Sequence, residues 1–262
     1  MALHRQRKSP NKIQLDNPMN MKKILLASIA VLALSCGKTP RAEEYGRVDF
    51  TVRTQDYVNE AVKSSVSDFA SVPSPSDFNI LIKDAYGTQV YSGAISEWSA
   101  ETLLSAGEYT VTATYGDSED EGFSKPAFSG ETVFTLQGGQ TNPVSIDASL
   151  SNCIVKVQAS DNFNNYYPDW NFTVTTGLGT SLLFPKGEYR GAFIYAYKFT
   201  VSGNLTSQSG AVKTFSKEYK PLSPATCYSL SFDVADVSGS SISISFDDAV
   251  ETVVLEDIEL NN

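Results

Sequence analysis

The chain has 262 residues, 41% of them hydrophobic and 19% charged, and carries a formal net charge of −10. That length is enough to bury the core of one or two domains. The acidity argues against nucleic acid as a partner, because acidic surfaces repel phosphate backbones, and the single histidine, His4, leaves little scope for imidazole chemistry.

Residues 1–20 (MALHRQRKSPNKIQLDNPMN) are polar, basic and without periodicity, and read as an over-extended start or a disordered leader. Translation is expected to begin at Met21. There Met21-Lys22-Lys23 is followed by an apolar run, Ile24–Leu34, then by Ser35 and Cys36. Such a run is too short to span a bilayer, which takes about 20 apolar residues. Residues 21–35 resemble a bacterial lipoprotein signal peptide, ending in Ala33-Leu34-Ser35-Cys36. Such signals usually carry leucine three positions before the cysteine, where this chain has Ala33. The resemblance implies that the signal is cut before Cys36 and that Cys36 is lipidated on its sulfur and its new amino group. A secretory peptide with an incidental cysteine, or a short buried helix, would not require Lys22-Lys23, the run length and Ser35-Cys36 to agree. Cleavage there leaves residues 36–262 with 14 basic against 29 acidic side chains, a net charge of −15. It also discards His4. A chain without histidine lacks Ser-His-Asp and Cys-His catalysis and histidine-ligated zinc, which leaves only carboxylate or Ser-Lys chemistry. No enzyme activity, metal or cofactor is expected.

Residues 36–45 form a polar tether. Beyond it the periodicity is two. Val48/Phe50/Val52, Phe78/Ile80/Ile82, Tyr109/Val111/Ala113/Tyr115 and Val144/Ile146/Ala148/Leu150 each alternate with polar residues. Val155/Val157, Phe172/Val174, Phe193/Tyr195/Tyr197, Tyr228/Leu230/Phe232/Val234 and Ile242/Ile244/Phe246 continue the pattern. Residues 55–70 hold a weak helical signal and read as a crossover between strands. Asp117-Ser118-Glu119-Asp120-Glu121-Gly122 begins like a calcium loop, but position twelve is Phe128 where a bidentate glutamate is required, so it reads as a solvated loop. Tyr166, Tyr167 and Trp170 form either an aromatic platform for a sugar ring or filler at a core or domain interface. Cys153 shares the Val155/Val157 face while Cys227 is out of phase with Tyr228/Leu230/Phe232. Strand phase therefore places Cys227 outward and argues against a disulfide, although both cysteines sit near strand starts where phase slips. After Phe246, Val253/Leu255 and Ile258/Leu260 mark either a final edge strand guarded by Glu251, Glu256 and Glu259 or a donor segment.

Many short, β-branched and aromatic strands separated by Gly, Pro, Asn and Ser clusters predict an all-β fold of antiparallel sandwiches. An internal repeat divides it. Leu103–Tyr109 (LLSAGEY) returns as Leu182–Tyr189 (LLFPKGEY), and Asp77-Phe78-Asn79 returns as Asp169-Trp170-Asn171. Each half has the size of one Ig-like sandwich of about 100 residues. The expected organisation is two tandem sandwiches, 46–149 and 150–262.

Three blocks carry a family resemblance: Gly107–Gly116 (GEYTVTATYG), Lys125–Glu131 (KPAFSGE) and Ser151–Val157 (SNCIVKV). Together they resemble an uncharacterised family of Bacteroidota lipoproteins related to the fimbrillins, the pilins and anchor subunits of those bacteria. The resemblance implies two transthyretin-like β-sandwich domains and an outer-membrane, surface-exposed lipoprotein with a structural or adhesive role. The implied partners are the membrane, through the lipid, and fimbrial subunits or a host or matrix ligand. Pilins of that group are cut by an arginine-directed protease near the first strand, and the groove so opened accepts a strand from another subunit. Arg41, Arg47 and Arg53 flank that strand here, although arginine in a tether is also ordinary. The alternative reading is a surface glycan-binding lipoprotein using Tyr166, Tyr167 and Trp170.

Overall fold

A computed structural model describes residues 44–59, 64–235, 241–246, 249–254 and 256–257. The leader, the signal segment, Cys36 and Arg41 lie outside the described residues.

The first half-chain contributes β1 (Tyr45–Thr54), β2 (Asn79–Asp84), β3 (Gln89–Ala94), β4 (Leu104–Ser105), β5 (Gly107–Tyr115), β6 (Gly122–Phe123), β7 (Phe128–Leu136) and β8 (Thr141–Leu150). The second contributes β9 (Cys153–Ala159), the short helix α1 (Asp161–Tyr166), β10 (Asp169–Thr176), β11 (Ser181–Pro185), β12 (Ala192–Ile194), β13 (Phe199–Thr206), β14 (Val212–Tyr219) and β15 (Cys227–Val234). It ends in β16 (Ser241–Phe246), β17 (Ala249–Val254) and β18 (Glu256–Asp257). Among the described residues these strands make three sheets, ordered β3-β2-β5-β7-β8-β1-β4, β11-β10-β13-β14-β18 and β17-β16-β15-β9-β12-β6. The fold is an all-β sandwich. Period-two sequence becomes one-sided burial, as in β1, where Val48, Phe50 and Val52 are buried and Arg47, Asp49, Thr51 and Arg53 are exposed.

Two ladders depart from the antiparallel expectation. β1 pairs parallel to β8, and β9 pairs parallel to β15. Parallel neighbours need a long crossover, and the whole of β2–β7 and β10–β14 supplies it. Alternation shows which face of a strand is apolar but carries no sign of strand direction, so this was not legible in the pattern.

The two halves repeat each other in topology. β9 holds the place of β1, β10 of β2, β11 of β3, β12 of β4, β13 of β5, β14 of β7 and β15 of β8. Phe78 and Trp170, at the starts of β2 and β10, occupy equivalent buried positions. The Gly-Glu-Tyr recurrence does not follow this symmetry. Gly107-Glu108-Tyr109 opens β5 and Tyr109 is buried, whereas Gly187-Glu188-Tyr189 lies in the loop between β11 and β12 and Tyr189 is 74% exposed. Phe193/Tyr195/Tyr197 also fails to form one strand face. β12 ends at Ile194, and Tyr195 and Tyr197 are exposed beyond it.

The buried side chains form two clusters, one mainly from β1–β8 and one mainly from β9–β16. Ile154, Phe193 and Cys227 come from the second half but pack into the first cluster. Cys227 is thus 1% exposed, which corrects its outward placement. Its side chain does leave the face that carries Cys153, but that second face is covered by the other half. Cys153 and Cys227 do not form a disulfide.

Candidate interaction surfaces

β1 is held by its neighbours at several points. Its Arg47 N–H donates to the Gln140 carbonyl at 2.8 Å, the Trp98 indole Nε1 donates to the Val48 carbonyl at 3.0 Å, and the Thr54 hydroxyl donates to the Pro73 carbonyl at 3.1 Å. The Phe50 ring meets Trp98 edge-on at 5.3 Å. The guanidinium of Arg47 lies 3.0 Å from the Glu101 carboxylate. Arg47 and Arg53 therefore sit with exposed side chains on a strand whose backbone is committed to a ladder.

The sugar-platform reading of Tyr166, Tyr167 and Trp170 does not survive. Tyr167 is fully buried and Trp170 is 4% exposed, both in the second core cluster, and Tyr166 packs against it. The Tyr166 and Tyr167 rings are inclined at 58°, not coplanar. The physical reason is α1. Ser160 caps it by accepting from the Phe163 N–H at 3.0 Å, and the helix directs Phe163 down onto Phe172 and Phe232, with the Tyr167 ring against Phe163. The Trp170 indole Nε1 donates to Asn164 Oδ1 at 2.9 Å, so its polar edge is satisfied inside the protein.

The junction between the halves is the most elaborated polar site, and most of it was not foreseen. The loop after β5 is only partly solvated. Asp117 accepts from the Glu119 N–H, and Asp120 pairs with Lys125. Glu121, however, is 7% exposed and crosses to the second half. One carboxylate oxygen accepts from the Thr176 hydroxyl and the other from the Tyr195 N–H at 2.9 Å. The next two residues form β6 and pair with β12, and Phe123 packs edge-on against Phe184 at 5.3 Å under the Arg190 guanidinium. Asn152, between β8 and β9, is fully buried. Its side chain donates to the Lys125 carbonyl, and its own carbonyl accepts from the Ala225 N–H at 3.0 Å. Asn59 in the crossover after β1 closes a fourth contact, donating to the Ala225 carbonyl and accepting from the Cys227 N–H. A linker of two residues, Ser151-Asn152, is thereby bonded on both sides. Among the described residues no group of three or more His, Cys, Asp or Glu could hold a metal ion.

Among the described residues the sheet edges are β3, β4, β11, β18, β17 and β6. They are short strands of two to six residues, which limits unwanted pairing. The final hairpin is used internally. β17 pairs with β16, and the chain then crosses to the other sheet, where β18 pairs with β14. Of the segment read as a final edge strand or a donor, Leu255, Ile258 and Leu260 lie outside the described residues.

The profile of a family described as a domain of unknown function, DUF4493, matches residues 44–262. The chain belongs to that family. No curated protein matches it. Solved structures with a similar arrangement include the fimbrial anchor protein Mfa2 from Porphyromonas gingivalis, with 12% identity, a TM-score of 0.34, and 78% of this chain and 98% of that one covered. A Bacteroides eggerthii protein provisionally assigned to cell adhesion has 10% identity and a TM-score of 0.43, with 82% and 96% covered. A Bacteroides thetaiotaomicron protein provisionally assigned to polysaccharide binding has 14% identity and a TM-score of 0.40, with 80% and 98% covered.

Proposed function

We propose that this DUF4493 protein is a lipid-anchored outer-membrane protein, displayed at the cell surface, with a structural or adhesive role exercised through protein–protein contact. The observation that carries the reading is Cys36, placed after a lipoprotein-type signal and nine positions before Tyr45, where β1 begins. The proposal includes its organisation as two sandwiches, 46–149 and 150–262. Mature residues 36–262 contain no histidine, which fits a binding role. Within this role, an anchor or accessory subunit suits the chain better than a polymerising pilin. Ala249–Val254, the start of the segment that would donate a strand, is already paired with β16, and β1, which cleavage would have to release, is tied by Arg47, Trp98 and Thr54.

The test is made in cells producing the full chain. Metabolic palmitate label should enter the wild-type protein and not Cys36→Ala, and the wild type should fractionate with the outer membrane and be shaved by protease added to whole cells. Unlabelled wild-type protein would overturn the lipid anchor. For the assembly arm, limited digestion with an arginine-specific protease is followed by size-exclusion chromatography. Cleavage after Arg53 followed by strand-exchanged oligomers would assign the protein to the pilins instead.

A further inference from the structure

We propose that the parallel β1–β8 ladder is a mechanical clamp, which keeps the first half folded when the chain is pulled between its N-terminal end and the junction with the second half. The inference depends on the fold alone and stands whether or not Cys36 carries lipid.

The strand directions set the geometry. Tension from the N-terminal side reaches the fold at Tyr45, the first residue of β1. Tension passed to the second half leaves through Leu150, the last residue of β8, and the linker Ser151-Asn152 to Cys153 of β9. β1 and β8 are direct neighbours, paired in parallel from Arg47↔Thr141 to Thr54↔Ala148. The two points of pull therefore lie at opposite ends of one ladder, and the force slides β1 along β8. The hydrogen bonds run from strand to strand, so sliding strains all eight pairs together. Peeled from one end, the same pairs would open one after another. While the ladder holds, the force crosses directly from β1 to β8 and residues 55–140 between them carry none of it.

Other contacts oppose sliding as well. A slip of one residue would turn Val48, Phe50 and Val52 out of the first core cluster. At the start of β1 the Glu44 carbonyl accepts from the Ala106 N–H at 2.7 Å and the Tyr45 carbonyl from the Gly139 N–H at 2.9 Å. Past its end the Gln55 N–H donates to the Ala148 carbonyl at 2.8 Å. On its other side β1 has, among the described residues, only the Tyr45↔Ser105 and Gly46↔Leu104 pairs with β4, so β8 is the neighbour that takes the load. The second half repeats the arrangement. β9 starts at Cys153 and pairs in parallel with β15 from Ile154↔Cys227 to Ala159↔Phe232. Force that leaves the chain beyond β15 crosses two such ladders in series.

Single-molecule force spectroscopy on the full chain tests the clamp. Cys36→Ala removes the lipidation residue, and Cys153 and Cys227 are buried, so two new surface thiols take the handles selectively. Glu44→Cys with Ser149→Cys pulls along the ladder, and Glu44→Cys with Gln140→Cys pulls the same two strands apart from one end. All three positions are exposed. At equal loading rates the first pair of handles should give way at a several-fold higher force than the second. That opening should lengthen the tether by about 300–350 Å, the extended reach of residues 44–149 less the length of the folded ladder. Equal forces in the two geometries would overturn the inference, and so would a first opening of another length, because a different element would then be yielding. Neither result touches the anchor, which the palmitate label reads separately.

Discussion

Glu121 shows how a residue in an acidic run acquires a different role from its neighbours. Asp117 and Asp120 are satisfied locally, while Glu121 is buried against Thr176 and Tyr195 across the junction. Glu121→Ala leaves a hydroxyl and an N–H of the second half without their acceptor, which costs about 1–3 kcal/mol. Urea unfolding of the purified protein should show that loss, with Glu121→Gln retaining part of it. The Cys153 thiol is pushed up to about 12 by burial first, with the Glu121 charge adding to it. Native protein at pH 8 should therefore not react with a disulfide reagent at Cys153, and reaction should appear on unfolding. Glu218 lies at about 2, held down chiefly by its bond to the Lys220 ammonium and then by Lys198. Because its folded value is depressed, its contribution is complete above the ordinary value of 4.5 and is lost as pH falls toward 2. The group is exposed, so added salt should weaken the effect. Carboxyl NMR titration of Glu218 with and without salt checks both statements.

At the scale of elements, β1 is the strand on which any assembly mechanism would turn. It contributes Val48, Phe50 and Val52 to the first cluster, and Phe50 also meets Trp98 and Phe134. Phe50→Ala should destabilise by about 3–5 kcal/mol, read as a lower thermal midpoint. The same variant should make the Arg47–Val48 and Arg53–Thr54 bonds easier to cleave, because a protease needs the strand pulled free of β8; unchanged cleavage rates would contradict that. β7 and β8 meet so closely at Gly130 that an added Cβ would lie 2.2 Å from the Asp147 carbonyl oxygen, so Gly130→Ala should also destabilise. Most strands were legible in the alternation, since one buried face leaves a period-two trace. β3, β7, β11, β13 and β14, and the two-residue β4 and β6, were not read as strands. β3 is an edge with little full burial, β11 has only Leu182 and Phe184 buried, and β14 has only Phe215 and Tyr219.

For the whole molecule, the halves behave as one unit because their link is bonded throughout. The β6–β12 pair, Glu121, Asn152, Asn59 and the Ile154, Phe193 and Cys227 face all cross it. Thermal unfolding of the wild type should be a single transition, and Glu121→Ala combined with Asn152→Ala should split it in calorimetry.

By itself the sequence determined the β class and the alternating core faces, because each is a local pattern read over a few residues. Only the tertiary structure decided the parallel ladders, the true correspondence between the halves, the burial of Tyr167, Trp170 and Cys227, and the crossing of Glu121. Those depend on which distant segment covers a face, and a residue's own neighbours in the chain carry no record of that.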